Sequence, residues 1–307
     1  MFHIFGFYKF KKLKNLKFFK KKFINILKLN SIRGTIIISY EGLNGTISGK
    51  SKNVQKVIKN IKSFYNFKNF DSENHSDCDF QPFKKGKIKI KNEVVPIGKK
   101  FYLNNSTKYY IEPNKWNSLL KQKDVHIIDV RKSFEYHVGT FKGAKNPDLD
   151  NFRDFPKYFK KFNKKNKIAM FCTGGVRCEK ASSYLKRKGF NNVFQLKGGI
   201  LNYLKNISKN SSMWKGECYV FDNRVSVKHK LKIGTYSICS GCRKPISLNE
   251  KKSEKYFEGI SCPKCHDKLS VSQKERFTMR QKQIIDAKKL GRNYFFKKEY
   301  QWVLIGK

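Results

Sequence analysis

The sequence predicts a protein of the multidomain α/β and α+β class, with an α+β domain, a parallel α/β domain and a cysteine-rich segment. Its 307 residues suffice for two or three domains. Over about the first hundred residues the predicted order of elements is β-α-β-β-α-β. Over the next hundred residues, predicted strands and helices alternate. Four of the eight cysteines then form two close pairs in the last third of the chain.

Residues 1–100 are predicted to form a small ferredoxin-like domain. The strand-like FHIFGFYKF is followed by a basic amphipathic helix that is expected to face a core, and NVQKVIKNIKSF is a second helix. RGTIIISYEGLNGTISG is predicted to form two strands joined by a turn at Asn44-Gly45. A loop is expected at residues 71–79, and KGKIKIKNEVVPI supplies the last strand. This β-α-β-β-α-β order is that of a ferredoxin-like unit.

Residues 108–212 carry the pattern of a parallel α/β domain. VHIIDVR and KIAMFCT are apolar runs typical of buried parallel strands. EKASSYLKRKGF is predicted to be a helix that ends at Gly189, and NNVFQLKGGI a further strand with a Gly-Gly turn. Alternating strands and helices favour a parallel sheet with crossover helices.

Residues 213–307 contain the cysteine pairs CSGC and CPKC, separated by nineteen residues. Two such pairs can converge on one tetrahedral ion, which predicts a zinc-ribbon-like segment. Four thiolates leave no open position, so a structural zinc is favoured; iron fits the same geometry, and reduced, metal-free cysteines are the alternative. The predicted ligands are Cys239, Cys242, Cys262 and Cys265.

The chain is strongly basic, with a formal charge of +45 from 68 Lys and Arg against 23 Asp and Glu. Such a balance attracts polyanions, and RNA or DNA first. Most of the basic residues are lysines, however, and a general drift towards Lys in an AT-rich genome gives the same charge without a ligand. A basic helical tail from about residue 270 could contact phosphates through Lys274, Arg276, Arg280, Lys282, Lys288, Lys289 and Arg292.

The location predicted from these patterns is the cytoplasm. No secretory signal is recognisable, and no apolar run is long enough to cross a bilayer, so no membrane partner is expected. Closely spaced cysteines are typical of thiol chemistry or metal binding in a reducing compartment.

The segment KIAMFCTGGVRCEKAS contains the main candidate for an active site. Cys172 is expected at the carboxyl end of a buried strand, where open α/β sheets bind ligands. Backbone N–H groups and the positive end of a helix that starts near Cys178 favour an ionised thiol. A buried strand cysteine is the purely structural alternative. The loop and anion-binding candidates are Thr173, Gly174, Gly175, Val176, Arg177 and Cys178.

This segment resembles the active-site loop of rhodanese domains, in which a Cys and a short loop ending in Arg precede a helix. IIDVRKSFEYHVGTFKGAKNP and VFQLKGGI resemble the flanking rhodanese segments. The resemblance implies a rhodanese-like parallel-sheet domain in which Asp129 and Arg131 form a structural ion pair. Glu135 and His137 are the nearby acid–base candidates.

Three motifs together, EGLNGTISG, CTGGVRCEKAS and GECYVFDNRVSV, resemble the rhodanese-domain tRNA uridine hydroxylases over nearly the whole chain. That family converts the wobble uridine of certain tRNAs to 5-hydroxyuridine. The resemblance implies an oxidoreductase that acts on the tRNA anticodon loop, with Cys172 as the essential thiol and dioxygen as co-substrate. Two alternatives stay open: a sulfurtransferase with a Cys172 persulfide, and a non-enzymatic RNA-binding protein.

Overall fold

A computed structural model describes residues 1–98, 109–149 and 151–291. These ranges form an α+β domain, a parallel α/β domain and a cysteine-rich segment followed by a long helix, as the sequence predicts. None of the helices within the described ranges combines the length and the apolar character that crossing a bilayer requires.

The N-terminal domain is a five-stranded sheet with two helices on one face. Its elements are β1 (Phe2–Phe10), α1 (Leu16–Leu29), β2 (Arg33–Ser39), β3 (Gly42–Gly49), α2 (Ser51–Phe64), β4 (Ser72–Cys78) and β5 (Gly86–Ile90). The strand order is β4-β1-β3-β2-β5, and all neighbours are antiparallel except β2 and β5. Apolar residues on alternate positions of the central strands pack against both helices. The opposite face of the sheet is left for the second domain.

The predicted turn at Asn44-Gly45 is wrong. Strands β2 and β3 are joined at Tyr40 and Glu41, and Asn44 and Gly45 lie inside β3. A Cβ at Gly45 would lie 3.0 Å from the side chains of both Ile36 and Phe7. Gly45 therefore serves close packing across three strands, which a turn dipeptide does not reveal.

The loop predicted at residues 71–79 is a strand instead. SENHSDC forms β4, which pairs along its length with β1 at the edge of the sheet. Backbone pairing with β1 does not require apolar side chains, and an edge strand tolerates polar ones. This polar strand is the fourth of the ferredoxin-like unit, and β5 is an additional strand paired in parallel with β2.

The middle domain is built on a four-stranded parallel sheet of order β6-β10-β9-β7, in agreement with the α/β prediction. Its strands and helices are β6 (Tyr109–Ile111), α3 (Pro113–Leu120), β7 (Val125–Asp129), α4 (Ser133–Val138), β8 (Gly139–Phe141), α5 (Phe155–Tyr158), β9 (Lys167–Phe171), α6 (Val176–Arg187), β10 (Val193–Leu196) and α7 (Gly199–Asn206). Short 3₁₀ turns cover Phe152–Asp154 and Phe159–Lys161. Apolar clusters fill both faces of the sheet.

The C-terminal part consists of short hairpins and one long helix. Its elements are β11 (Trp214–Gly216), β12 (Cys218–Tyr219), β13 (Ser226–Val227), β14 (Ser237–Ile238), β15 (Pro245–Ile246) and α8 (Val271–Lys289). Strand β11 pairs with β8, which ties this part to the middle domain. Helix α8 begins with a capping box between Ser270 and Gln273 and has no buried residue. Arg292, at the predicted end of the basic tail, lies outside the described residues.

Candidate active site and metal site

Cys172 lies directly after β9, at the carboxyl end of the central parallel strands, and has no exposed surface. The backbone N–H of Gly175 donates to its Sγ at 3.2 Å. Gly175 adopts φ 99°, which favours glycine, and α6 starts at the next residue. The helix thus begins at Val176, earlier than the predicted start near Cys178. Its positive end lies against the thiol.

The surroundings of Cys172 favour its thiolate. Burial by itself raises the pKa of this thiol, but the Cys178 thiol, the Arg177 guanidinium and the N–H groups of both residues together lower it to about 6. The pKa of Cys178 is raised well above its usual value by burial and by its hydrogen bond to Cys172. Cys172 is therefore the thiol of this pair that ionises at neutral pH, and Cys178 is a protonated donor beside it.

The N-terminal end of α7 holds the loop from the other side. The N–H of Ile200 donates to the Cys172 carbonyl at 3.0 Å, and the N–H of Leu201 donates to the Thr173 carbonyl at 3.1 Å. A Cβ at Gly199 would lie 2.5 Å from the Cys172 oxygen, so only glycine fits there. The KGGI motif, predicted as a turn, is thus a support of the Cys172 loop.

Arg177 is paired with Glu135 through two hydrogen bonds of 2.6 and 2.8 Å. Burial raises the pKa of Glu135, but Arg177 outweighs it and lowers that pKa below its usual value. Glu135 is therefore an ionised partner that fixes Arg177 near Cys172. His137, the other acid–base candidate, is an exposed residue of α4.

Asp129 and Arg131 form the structural ion pair that the rhodanese resemblance implies. The Arg131 guanidinium donates to the two Asp129 oxygens at 2.8 and 2.6 Å, and both side chains are fully buried. Arg131 also donates to the Gly139 carbonyl at 2.6 Å. The pair ties the end of β7 to the start of β8.

The open face of the N-terminal sheet closes the site above Cys172. A cavity of about 380 Å³ lies between this face and the loop, within the size range of small-ligand sites. The hydroxyl of Ser72 on β4 donates to the Gly174 carbonyl at 3.4 Å, so the sheet touches the loop directly. Residues from three parts of the chain line the cavity: Tyr8, Asn44, Asn74, Val95, Cys172 and Phe221. None of these N-terminal residues was predicted from the sequence to belong to the site.

Two buried polar residues of α6 join the two domains. The Lys180 ammonium lies 3.0 Å from Glu41 and 2.5 Å from Glu93. Glu179 accepts hydrogen bonds from Tyr8 at 2.9 Å and from Tyr110 at 2.7 Å. Glu41 belongs to EGLNG, and Glu179 and Lys180 belong to CEKAS, so these two motifs are in contact across the domain interface.

Replacing Lys180 by Met is expected to lower the free energy of unfolding by about 2–3 kcal/mol, because it leaves two carboxylates without their cation. This is below the cost of a fully buried pair, since Glu41 and Glu93 keep 20% and 21% of their side-chain surface exposed. Denaturant unfolding of the full chain measures the change. Lys188→Met, at the exposed end of the same helix, is the matched control. Equal stability of the two variants would contradict a role for Lys180 at the interface.

The four predicted metal ligands lie together in the C-terminal segment. Their sulfur atoms are all within 4.8 Å of one another, and neighbouring sulfurs lie 3.8–3.9 Å apart. Tetrahedral coordination with metal–sulfur bonds of about 2.3 Å places sulfurs about 3.8 Å apart, so the cluster has the spacing that a bound metal requires. The first pair lies on the turn between β14 and β15, and the second on a facing loop: Cys239, Cys242, Cys262 and Cys265.

Helix α8 presents most of its predicted basic residues to solvent. Arg280 is an exception, because it donates to the carbonyls of Gly259 at 2.9 Å and Ser240 at 3.3 Å and so fastens the helix to the cysteine-rich segment. Lys274 is half-buried. The exposed members are Arg276, Lys282, Lys288 and Lys289.

Two parts of the chain match models of known domain families. The model of the UPF0176 acylphosphatase-like domain matches residues 2–94, and that of the rhodanese-like domain matches residues 112–206. A solved rhodanese-like domain protein from Staphylococcus aureus is 30% identical and covers 31% of this chain and 90% of its own, with a TM-score of 0.28.

Two curated relatives, both named tRNA uridine(34) hydroxylase, match the chain over most of its length. The protein from Teredinibacter turnerae (strain ATCC 39867 / T7901) is 41% identical over 92% of this chain and 89% of its own. The protein from Pelagibacter ubique (strain HTCC1062) is 60% identical over 98% of this chain and 100% of its own. The chain belongs to the tRNA uridine(34) hydroxylase family.

Proposed function

We propose that the chain hydroxylates the wobble uridine of tRNA to 5-hydroxyuridine, with Cys172 as the reacting thiol and dioxygen as co-substrate. The observation that carries the proposal is that Cys172, a buried residue whose thiol has a lowered pKa, belongs to the wall of a cavity large enough for a nucleobase. The anticodon loop is already single-stranded, so placing its base in that cavity costs little unpairing. Family membership supports the same substrate.

The Cys172 thiolate makes carbon 5 of the uracil ring more nucleophilic. Carbon 5 of uridine is a weak nucleophile, and a bond from Sγ to carbon 6 moves the double-bond electrons towards carbon 5 and the carbonyl at carbon 4. Carbon 5 then takes up one oxygen atom derived from dioxygen. Loss of the carbon 5 proton and of the thiolate restores the double bond. The second oxygen atom leaves as water, which consumes two protons and two electrons from an external reductant.

The other parts of the chain are proposed to bind the tRNA. The N-terminal sheet forms the wall opposite Cys172, and exposed basic residues of α8 supply charge for phosphates. A structural zinc held by the four clustered cysteines would fix α8 through the Arg280 contacts. The domain limits 1–100, 108–212 and 213–307 and the cytoplasmic location stay predictions, and the linker that separates the first two domains lies outside the described residues.

A sulfurtransferase is the second candidate, because backbone donors around Cys172 would also suit a persulfide. Isotope-labelled dioxygen separates the two functions: we expect the label in the nucleoside and no retardation of the tRNA on a mercury-containing gel. Nucleoside mass alone is uninformative, since adding oxygen and replacing oxygen by sulfur change it almost equally. Binding of the tRNA is expected to weaken steeply with salt. Sulfur in the product without label would contradict hydroxylation.

A further inference from the structure

We propose that the groove beside Cys172 has a second compartment, which binds the base of a nucleotide adjacent to the reacting uridine, with the ring of Phe221 as its stacking surface. The inference rests on the proposed function, because it takes the anticodon loop as the ligand. It adds a binding site for a second nucleotide and assigns it a specific aromatic residue.

Two cavities lie side by side along the open face of the N-terminal sheet. The first, of about 380 Å³, contains Cys172, and the second, of about 440 Å³, lies beyond it towards β5 and the β12–β13 loop. Both volumes suit a nucleobase. The two cavities share their dividing wall, and the residues common to both include Gly6, Asn44, Thr46, Asn74, Thr173 and Phe221. Shared walls make them neighbouring compartments of one groove.

The floor of this groove is flat and partly polar. Gly6 on β1 stands between Thr46 on β3 and Asn74 on β4 in the strand register, so the floor has no side chain at its centre. The amides of Asn44 and Asn74 each offer a donor and an acceptor to a base edge. A flat floor with amide groups at its sides accommodates planar heterocycles.

Phe221 stands at the rim of both compartments with 64% of its surface exposed. Its ring meets the ring of Tyr219 edge to face, with centroids 5.0 Å apart. The loop that carries it is anchored: Arg224 pairs with Asp222 at 2.6 Å and donates to Ser76 of β4 at 2.9 Å. An exposed aromatic ring held in place at the mouth of a nucleobase-sized cavity is the arrangement that stacks unpaired bases.

The charge of the second compartment fits the same occupant. Lys89, an exposed residue of β5, lines it and provides a positive charge for a backbone phosphate. Of the other charged lining residues, Asp222 and Arg224 neutralise each other as a pair, and the apolar part of the lining includes Ile4, Ile37 and Phe83. Apolar walls, an exposed ring and a cation at the edge match a nucleotide with its base inward and its phosphate outward.

The test measures binding of a synthetic anticodon stem-loop to the full chain without dioxygen, so that no turnover occurs. Two further stem-loops lack the base on one or the other side of uridine 34. Phe221→Ala is expected to weaken binding of the intact stem-loop about tenfold, and Phe221→Tyr to restore it. One of the two abasic stem-loops lacks the base that stacks on Phe221. Wild type and Phe221→Ala should bind that stem-loop with equal affinity. Phe18→Ala is the control, because Phe18 is 53% exposed on α1, on the other face of the sheet.

Two results would overturn the inference: no loss of binding in Phe221→Ala, or the same loss with all three stem-loops. The second would mean that the ring does not contact a neighbouring base. Thermal unfolding of Phe221→Ala checks that the exposed substitution leaves the fold intact. Failure of the hydroxylation proposal is seen separately, as absence of oxygen label in the product, and does not alter these binding measurements.

Discussion

Cells that carry Cys172→Ser in place of the wild-type chain are expected to contain no 5-hydroxyuridine in their tRNA. A serine hydroxyl does not ionise at neutral pH and cannot add to carbon 6, whereas the Cys172 thiol has a pKa of about 6. The substitution is nearly isosteric, so the fold should be retained. Nucleoside analysis of tRNA measures the loss, and circular dichroism checks the fold.

Cys218→Ser is the matched control for this experiment. Cys218 is also fully buried, but burial raises its pKa to about 12, and it lies outside the Cys172 cavity. This variant should keep the modification. Full activity of Cys172→Ser would remove Cys172 from the chemistry.

The same pair of proteins should differ in how stability depends on pH. The folded-state pKa of Cys172, about 6, lies below the value of about 8.5 for an unfolded thiol. The ionised thiol therefore contributes stability that is fully present above about pH 8.5 and is lost as pH falls through about 6. The free energy of unfolding of the wild type, relative to that of Cys172→Ser, should therefore increase as the pH is raised from about 6 to about 8.5. Denaturant unfolding at several pH values measures this difference. A constant difference would contradict the lowered pKa.

Cys262→Ser is expected to remove the metal and unfold the segment around β14 and β15, while the two larger domains stay folded. The buried core of this segment consists of three of the four ligands and Ile246, so little apolar burial is left once the ion is lost. Elemental analysis should find about one zinc per wild-type chain and less in the variant. Hydrogen exchange would locate the unfolded part.

Cys78→Ser controls for the loss of a buried thiol, since Cys78 belongs to β4 and lies outside the four-cysteine cluster. It should keep the metal. Wild-type protein purified without chelator and free of metal would contradict the zinc proposal. Retention of zinc by Cys262→Ser would assign the ion to other ligands.

Short-range patterns were enough to predict where both candidate sites lie in the fold. Cys172 follows an apolar run and precedes a glycine pair and a helix, so its position at a strand end was predictable from the residues next to it. The two cysteine pairs were predictable as a cluster because each C-x₂-C forms its own half of the site. In both cases the determining residues are close neighbours in the chain, and local backbone geometry brings them together.

The wall opposite Cys172 in the candidate site is formed by contacts between segments that are distant in the chain. Asn44 and Asn74 reach the cavity only because β3 and β4 flank β1, and neither the predicted turn at Asn44-Gly45 nor the predicted loop at 71–79 indicated this. The polar residues of β4 show no alternating pattern, since backbone pairing with β1 holds that strand in the sheet. From the sequence, Lys180 is expected to be a solvated helix residue. In the structure its ammonium contacts the carboxylate of Glu41, which lies 139 positions away in the chain. Contacts between residues so far apart in the chain produce no periodic pattern in the local sequence. Only the packing of the two domains against each other determines them.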